Sequence, residues 1–554
     1  MKSRWLLIIA LAVLLMGAMS IEDKILIPIT QWFGLDSDES FAVDLSHPND
    51  SWNIEIGNEG GKTYIQQRKG SQRILNNPPG TEIYAVKIIQ VDGDSEVVII
   101  AENNGNVDYT TGVGDGAGGA GIGVWTDIIA GAPAVAHTMF TLFKDTIIYV
   151  ATNDVYTFAF SSDDLVAART FTDSRFDYQG HFLHQDRIYG WGTADSNNCK
   201  LFWMPEFDIR FWSTTMDSNA ALGTSGFVYV DKDGGDFITN VIPLGEHIMV
   251  YKSRNIYKVL VSPTSNVPVE IIRFVANTGA YGFGAAIAWN NIHFFVAEDG
   301  VYSNNGTSIQ KLSDPIDYWF RDSLVHSSGR AKVFKLCVYD NKLFVTLPKK
   351  ASSASSVADY RTFVYDLDMK TWTKWKMMAT DPDDGVAESH WMVRYEYSPT
   401  CSSPLTGSQF LKQRILFVRD TAGGSDDDRF WLYPRESGLA DDGETFEGSY
   451  TLPLSPITTM TRRKQVERVM IYGEATVAGA DSAVNNYIVW RNEDGDIAES
   501  TYFNAQSSRF FHNKRVSPKV TGDLIGMRIA IRDTNRIKIN AIEIVASEKG
   551  LADE

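Results

Sequence analysis

Short apolar runs in pairs, each opened by a polar turn, recur through most of this chain. Lys144-Asp145-Thr146 leads into Ile147–Val150, and Asn153-Asp154 leads into Val155–Phe158. The same grammar returns at Gln185-Asp186-Arg187 before Ile188–Trp191, and at Gly245-Glu246-His247 before Ile248–Tyr251. It returns again at Asn290-Asn291 before Ile292–Val296 and at Asp340-Asn341-Lys342 before Leu343–Val345. Asn, Asp and Gly accept the backbone angles of tight turns, while β-branched and aromatic runs favour extended chain. Strand centres fall near Ile99, Tyr149, Tyr189, Met249, Phe295, Phe344 and Phe417, separated by 50, 40, 60, 46, 49 and 73 residues. A period near 40–50 residues with antiparallel hairpins is that of propeller blades. A lone four-stranded sheet cannot bury both faces, whereas sheets stacked face to face around an axis can.

The chain therefore reads as all-β: a degenerate β-propeller of about seven blades, with six to eight open, followed by a C-terminal β-sandwich or jelly roll. A set of unrelated β-sandwiches is the competing reading. Three segments are expected: a hydrophobic N-terminal stretch over 1–30, the propeller over 31–440 and the C-terminal domain over 441–554. The last boundary rests on polar, Gly/Asp-rich Ser437–Glu447. Beyond it, Tyr450–Leu454, Val466–Tyr472, Tyr487–Trp490, Met527–Ile531 and Ile537–Val545 have strand character. Composition agrees. With 44% hydrophobic and 22% charged residues the 554-residue chain is globular, and 12% aromatics with 44 glycines favour β structure. Lys and Arg number 51 against 69 Asp and Glu, a net charge of −18, which opposes any general grip on nucleic acid.

The N-terminus is discordant. Lys2 and Arg4 precede the apolar run Trp5–Met19, and Ala18-Met19-Ser20 has the form of a cleavage site. That is the pattern of a secretory signal. Fifteen positions fall short of the ~20 needed to span a bilayer. A segment buried in an assembly is the other reading, and membrane contact through Trp5–Met19 stays open.

Motifs for chemistry are sparse. Gly112–Gly123 holds Gly114-x-Gly116-x-x-Gly119, but no helix pattern follows and no βαβ unit surrounds it, so it reads as a surface loop. Acidic clusters occur at Asp36–Glu39, Asp231–Asp236, Asp381–Asp384, Asp426–Asp428 and Glu493–Asp496. Only Asp231, Asp233 and Asp236 approach calcium-loop spacing, and they lack the distal bidentate Glu. No His-Glu-x-x-His helix and no Gly-x-Ser-x-Gly elbow is present. Cys199, Cys337 and Cys401 are too scattered for a zinc or disulfide framework. Arg462-Arg463-Lys464 is the one strong basic triplet, and Tyr365–Trp372 looks like a single kelch-type blade end. Catalytic, cofactor-binding and metal residues are accordingly assigned to none, and no enzyme activity is expected.

Several phrases together resemble the propeller-bearing tail proteins of short-tailed bacteriophages, of the nozzle or tail tubular protein B type. They are Phe33-Gly34-Leu35-Asp36 with Gln67-Arg68-Lys69-Gly70, Gly235–Leu244 with His247–Lys252, Asn277–Gly282, and Phe294–Tyr302 with Asn305-Gly306. The resemblance implies a virion structural protein: a ring subunit, hexameric in that family, below the portal and adaptor. Such a ring forms part of the DNA exit channel and docks tail fibres, and genomic DNA passes without sequence-specific binding. The N-terminal run departs from this pattern. It motivates the alternative of a secreted or surface-anchored propeller that binds or cleaves glycans. A cytoplasmic kelch-like scaffold has only Trp372 and its neighbours behind it.

Overall fold

The structure is a computed structural model. It describes residues 24–35, 48, 50–69, 72–75, 83–91, 95–102, 106–111, 125–129, 140–143, 146–151, 154–161, 164–172, 180–192, 199–204, 217–218, 226–261, 269–323, 335–348, 360–375, 391–397, 412–418, 430–433, 446–455, 463–475, 486–493, 495–503, 510–512, 520–522, 524–532 and 537–549. Two compact units emerge, one from Lys69–Phe446 and the other from Met1–Arg68 together with Glu447–Glu554.

The continuous unit is a seven-bladed β-propeller. Blade 1 is Ile83–Val91, Ser95–Glu102, Val107–Thr111 and Thr126–Ile129; blade 2 is Phe140–Phe143, Thr146–Ala151, Asp154–Ser161 and Asp164–Thr172. Blade 3 is Gly180–His184, Arg187–Trp191, Lys200–Trp203 and Gly226–Tyr229, with the two-residue Asp217–Ser218 added in parallel. Blade 4 is Ile238–Leu244, His247–Lys252, Asn255–Val261 and Val269–Ala276; blade 5 is Ala286–Trp289, Ile292–Ala297, Gly300–Asn304 and Ile309–Lys311. Blade 6 is Lys335–Tyr339, Lys342–Pro348, Tyr360–Asp366 and Thr371–Trp375. Blade 7 takes three strands from Trp391–Tyr397, Lys412–Val418 and Phe430–Tyr433, and its fourth, Gln72–Leu75, from the start of the unit. First strands of successive blades pack side by side, and that of blade 7 packs beside that of blade 1, so the ring is closed.

All seven strand centres read from the sequence lie on the second strand of a blade. The turns explain why the spacing was visible. Gln185-Asp186, Asn290-Asn291 and Asp340-Asn341 join first to second strands in blades 3, 5 and 6, and both residues of each have positive φ. Two-residue hairpins of this kind match the right-handed twist of the strands they join. Apolar faces then meet between blades. Ile89, Ile99 and Val107 of blade 1 pack against Phe140, Ile147 and Phe158 of blade 2. Trp191, Leu201 and Trp203 of blade 3 pack against Val241, Ile248 and Val250 of blade 4. Cys337, Phe344 and Trp375 of blade 6 pack against Ile415 and Tyr433 of blade 7. Each such side chain contributes about 1.5–3 kcal/mol on full burial, so the blade interfaces hold the ring.

The second unit differs from the expected boundaries. Composition predicts a C-terminal domain that begins at 441 and a propeller that begins at 31. Instead, strands before Arg68 pair with strands after Glu447. In one sheet, Ile54–Glu59, Lys62–Gln67, Ile537–Lys549, Arg463–Ala475 and Phe510–His512 lie in that order, and Lys24–Ile29 also pairs with Ile537–Lys549. In the other, Asp50–Trp52, Gly448–Thr451, Ile525–Ile531, Asn486–Asn492 and Gly495–Phe503 follow one another. Buried Trp32 joins the two. Its ring meets Tyr450 edge-on at 5.2 Å, and its indole N–H donates to the Asn540 carbonyl at 3.1 Å. The physical reason lies in Ile537–Lys549, whose buried Ile539, Ile542 and Ile544 need neighbours. Ile54 and Ile65 of the N-terminal hairpin, both fully buried, belong to the same sheet. The propeller is thus inserted into a β-sandwich built from both ends of the chain.

Candidate functional site

The acidic stretch Asp231–Asp236, the cluster whose spacing comes nearest to a calcium loop, enters blade 4 from blade 3. Its loop is tight: Asp231 has φ 48° and Gly235 φ 63°, and a Cβ on Gly234 would lie 2.5 Å from the Asp231 carboxylate. The carboxylates, however, face donors. Asp236, buried, accepts from the backbone N–H of Phe237 at 3.0 Å, of Ser253 at 3.2 Å and of Arg254 at 2.9 Å. The Ser253 hydroxyl and the Asn255 amide also donate to it. Asp236 therefore caps the turn between the second and third strands of blade 4. Asp231 accepts from the Tyr257 hydroxyl and, at 2.8 Å, from Arg273 Nη2. The Tyr257 hydrogen bond is the largest cause holding the Asp231 carboxyl below its usual range, while burial holds the Tyr257 phenol above its own. Asp233 is exposed. The Asp231 and Asp236 carboxylates are thus engaged with protein donors, and among the described residues no group of three metal-ligating side chains converges.

Beneath this turn lies Lys252, fully buried. Its ammonium donates to the carbonyls of Asp231 at 2.9 Å and Asp236 at 3.0 Å, and reaches the Cys199 sulfur at 3.3 Å. The Cys199 thiol in turn donates to the Asp236 carbonyl at 3.0 Å. A buried charge is tolerated only when its hydrogen-bonding capacity is met, and here three acceptors meet an ammonium's three N–H groups. Gly279 closes the site from the connection into blade 5. A Cβ there would stand 2.1 Å from the Lys252 carbonyl oxygen and 2.8 Å from the Asn255 nitrogen. Those are backbone atoms that cannot swing aside. Gly279→Ala is expected to destabilise the propeller by about 2–3 kcal/mol, as overpacking does, and a urea-unfolding curve measures the loss.

A second buried polar group lies between blades 4 and 5. His293 Nε2 donates to the Pro243 carbonyl at 3.0 Å, which leaves Nδ1 as acceptor for the Tyr251 hydroxyl at 2.9 Å. The Asn304 amide completes the chain with a donation to that hydroxyl at 2.9 Å. Burial pulls the His293 imidazole down to about 4 and pushes the Tyr251 phenol up. His181, on the first strand of blade 3, is likewise pulled to about 4 by burial, with its Nε2 donating to the Ile148 carbonyl at 3.1 Å. Both histidines are fixed in one tautomer by a backbone carbonyl, and both bridge neighbouring blades.

Sequence reasoning missed Lys252, His181 and the Tyr251–His293–Asn304 chain. One signal was available for part of this: several contacts between neighbouring blades span one blade period. Thr141 to His181, Thr239 to Ala280, Asn240 to Gly282 and Tyr251 to His293 are 40, 41, 42 and 42 residues apart. The kelch-like segment is a turn of blade 6, where Asp366 accepts from the N–H groups of Asp368 and Met369, and Lys370 has φ 56°. Trp372 is buried there, and its N–H donates to the Leu312 carbonyl at 2.8 Å. In the basic triplet, Arg463 is exposed and Lys464 buried on the strand Arg463–Ala475. Cys199 and Cys337 are both buried. Trp5–Met19, Gly112–Gly123, Asp36–Glu39, Asp381–Asp384, Asp426–Asp428, Arg462 and Cys401 lie outside the described residues. No described helix is long and apolar enough to cross a membrane.

No protein-family model matches the chain, and no curated protein matches it in sequence. Solved structures resemble it in fold. The β-propeller domain of Myceliophteria thermophila Cps50 (Swd1) is 7% identical over 65% of this chain and 98% of its own, with a TM-score of 0.37. BBS1N, solved in complex with ARL6DN, is 10% identical over 67% of this chain and 98% of its own, with a TM-score of 0.38. Kluyveromyces lactis Hsv2 is 13% identical over 63% and 96%, with a TM-score of 0.28. The propeller assignment stands on the seven sheets and their closed order.

Proposed function

We propose that this chain is a non-catalytic structural subunit of a phage tail, of the nozzle or connector class, whose ring forms part of the DNA exit channel. One observation carries the reading: among the described residues, polar side chains suited to chemistry are engaged in holding turns and blade boundaries. Asp231, Asp236, Lys252 and His293 all follow that pattern. The resemblance at Gly235–Leu244 and Asn277–Gly282 falls on this same scaffolding. The net charge of −18 supports the reading as well. A conduit benefits from a surface that repels phosphate, because attraction would hold the duplex. Its partners are further copies in a ring, the portal or adaptor above and tail fibres beside it, with DNA passing ungripped. Membrane contact through Trp5–Met19 belongs to the same proposal.

Microscopy and peptide mass spectrometry of purified particles test it together. The expected result is the chain in the tail as a closed ring, with an N-terminal peptide that retains Met1. Absence from virions, or a mature chain that starts near Ile21, favours a secreted propeller instead. A glycan array with a hydrolysis readout is expected to stay blank.

A further inference from the structure

We infer that Asn53 is the clamp at the insertion point, and that the terminal β-sandwich it ties together forms only after the propeller has closed. The sandwich is discontinuous, with Arg68 as the last residue of its first part and Glu447 as the first of its second. Asn53 holds both. Its backbone carbonyl accepts from the Arg68 N–H at 2.9 Å, and its Oδ1 accepts from Arg68 Nε at 3.1 Å. Its Nδ2 donates to the Glu447 carbonyl at 3.1 Å. Asn53 is buried and held at φ 53°, a left-handed conformation that Asn tolerates better than most residues. Arg68 is fully buried.

From Glu447 the clamp extends into the sandwich. Its carboxylate bonds Arg528 at 3.1 Å, Arg532 at 2.7 Å and the Tyr487 hydroxyl at 2.8 Å, on or beside two strands of one sheet. Next to it, a Cβ on Gly448 would lie 2.9 Å from Ile54 Cδ1 and 3.1 Å from the Asn53 carbonyl oxygen. One side chain thus ties together the two points where the chain leaves and re-enters this unit.

Order of folding follows from chain entropy. With the propeller unfolded, closing the clamp means closing a loop over the whole of 69–446, and that cost grows with the logarithm of loop length. Closure of blade 7 sets Gln72 opposite Leu432 and Leu75 opposite Phe430. Only 69–71 and 434–446 then remain to span. The sandwich's N- and C-terminal strands therefore become ordered together, and after the ring.

Pulse-labelled hydrogen exchange during refolding of the full chain tests this. Amides of 247–261 are expected to gain protection first. Those of 54–67 and 537–547 are expected to follow in one shared, later phase. Protection of 54–67 before or together with 247–261, or apart from 537–547, overturns the inference. Two variants separate the halves of the clamp. Asn53→Gly keeps the left-handed backbone and removes both side-chain bonds. It is expected to raise native-state exchange at least about fivefold in both 62–68 and 447–451, the effect of lost hydrogen bonds, and to leave 247–261 unchanged. Asn53→Asp keeps the acceptor for Arg68 and loses the donor to Glu447, so its increase is expected at 447–451. An effect of Asn53→Gly confined to 62–68 also overturns the inference. If that variant does not fold, the refolding order of the unaltered chain still decides.

Discussion

Asp236→Ala is expected to weaken the propeller by about 3 kcal/mol, near the top of the range for a single substitution. The carboxylate receives the N–H groups of Ser253 and Arg254 in a turn beside buried Lys252. A hydrogen bond to a charged group contributes about 1.5–3 kcal/mol, and donors stranded without an acceptor add their own desolvation. Asp236→Asn retains one acceptor oxygen and is expected to lose roughly half as much. Urea unfolding followed by tryptophan fluorescence measures both variants. A midpoint for Asp236→Ala indistinguishable from that of the unaltered chain would show that the cap contributes nothing. Neither substitution is expected to alter the ring order of the blades, because the apolar interfaces between them are untouched.

Acid is expected to have an effect as large, through His181 and His293. Burial holds both imidazoles near 4 in the folded chain, against about 6.5 when exposed. The unfolded chain therefore binds these protons more readily, and stability rises with pH across that interval. The two contributions are complete above about pH 6.5 and are lost as pH falls toward 4. Linkage puts the maximum loss at roughly 3 kcal/mol per histidine. Protonation would force a second hydrogen onto His293 Nδ1, the acceptor for Tyr251, and on His181 it would add charge beside Lys87. Unfolding midpoints measured from pH 7 to pH 4.5 check the prediction. A flat profile, or a drop that survives replacement of both histidines by Gln, would assign acid lability to other groups.

Much of the propeller was legible because its signals are local. Asn290-Asn291 and Asp340-Asn341 announce hairpins whose conformation those residues adopt readily. The apolar runs that follow them need only be extended and buried. The sandwich boundary was not legible for the opposite reason. Ile54–Glu59 and Lys62–Gln67 form an ordinary hairpin whose neighbour, Ile537–Lys549, is more than 450 residues further along the chain. Nothing in the composition near residue 68 marks the crossing, since Asn53 and Arg68 look like any polar pair. The acidic loop was legible as a turn, but not in what its carboxylates bind. Spacing shows that Asp231 and Asp236 are near each other, whereas it cannot show that Ser253 and Arg254 donate to Asp236 and Arg273 to Asp231. His293 gave a weak signal, visible only once the blade period is known and residues about 42 apart are compared, whereas the His181 ring bonds a carbonyl 33 residues back.

The fourth strand of blade 7 comes from Gln72–Leu75 rather than from the sequence that follows Tyr433. An open row of similar units frays from its ends, because terminal units have one neighbour where internal ones have two. Borrowing a strand from the opposite end leaves no terminal blade. Blades 1 and 7 each gain the second neighbour that a linear array would deny them, so no blade can detach at the cost of a single interface. Loss of any one blade breaks two interfaces and the strand pairing that fastens the circle, which makes partial melting costlier here than in a linear stack of the same seven sheets.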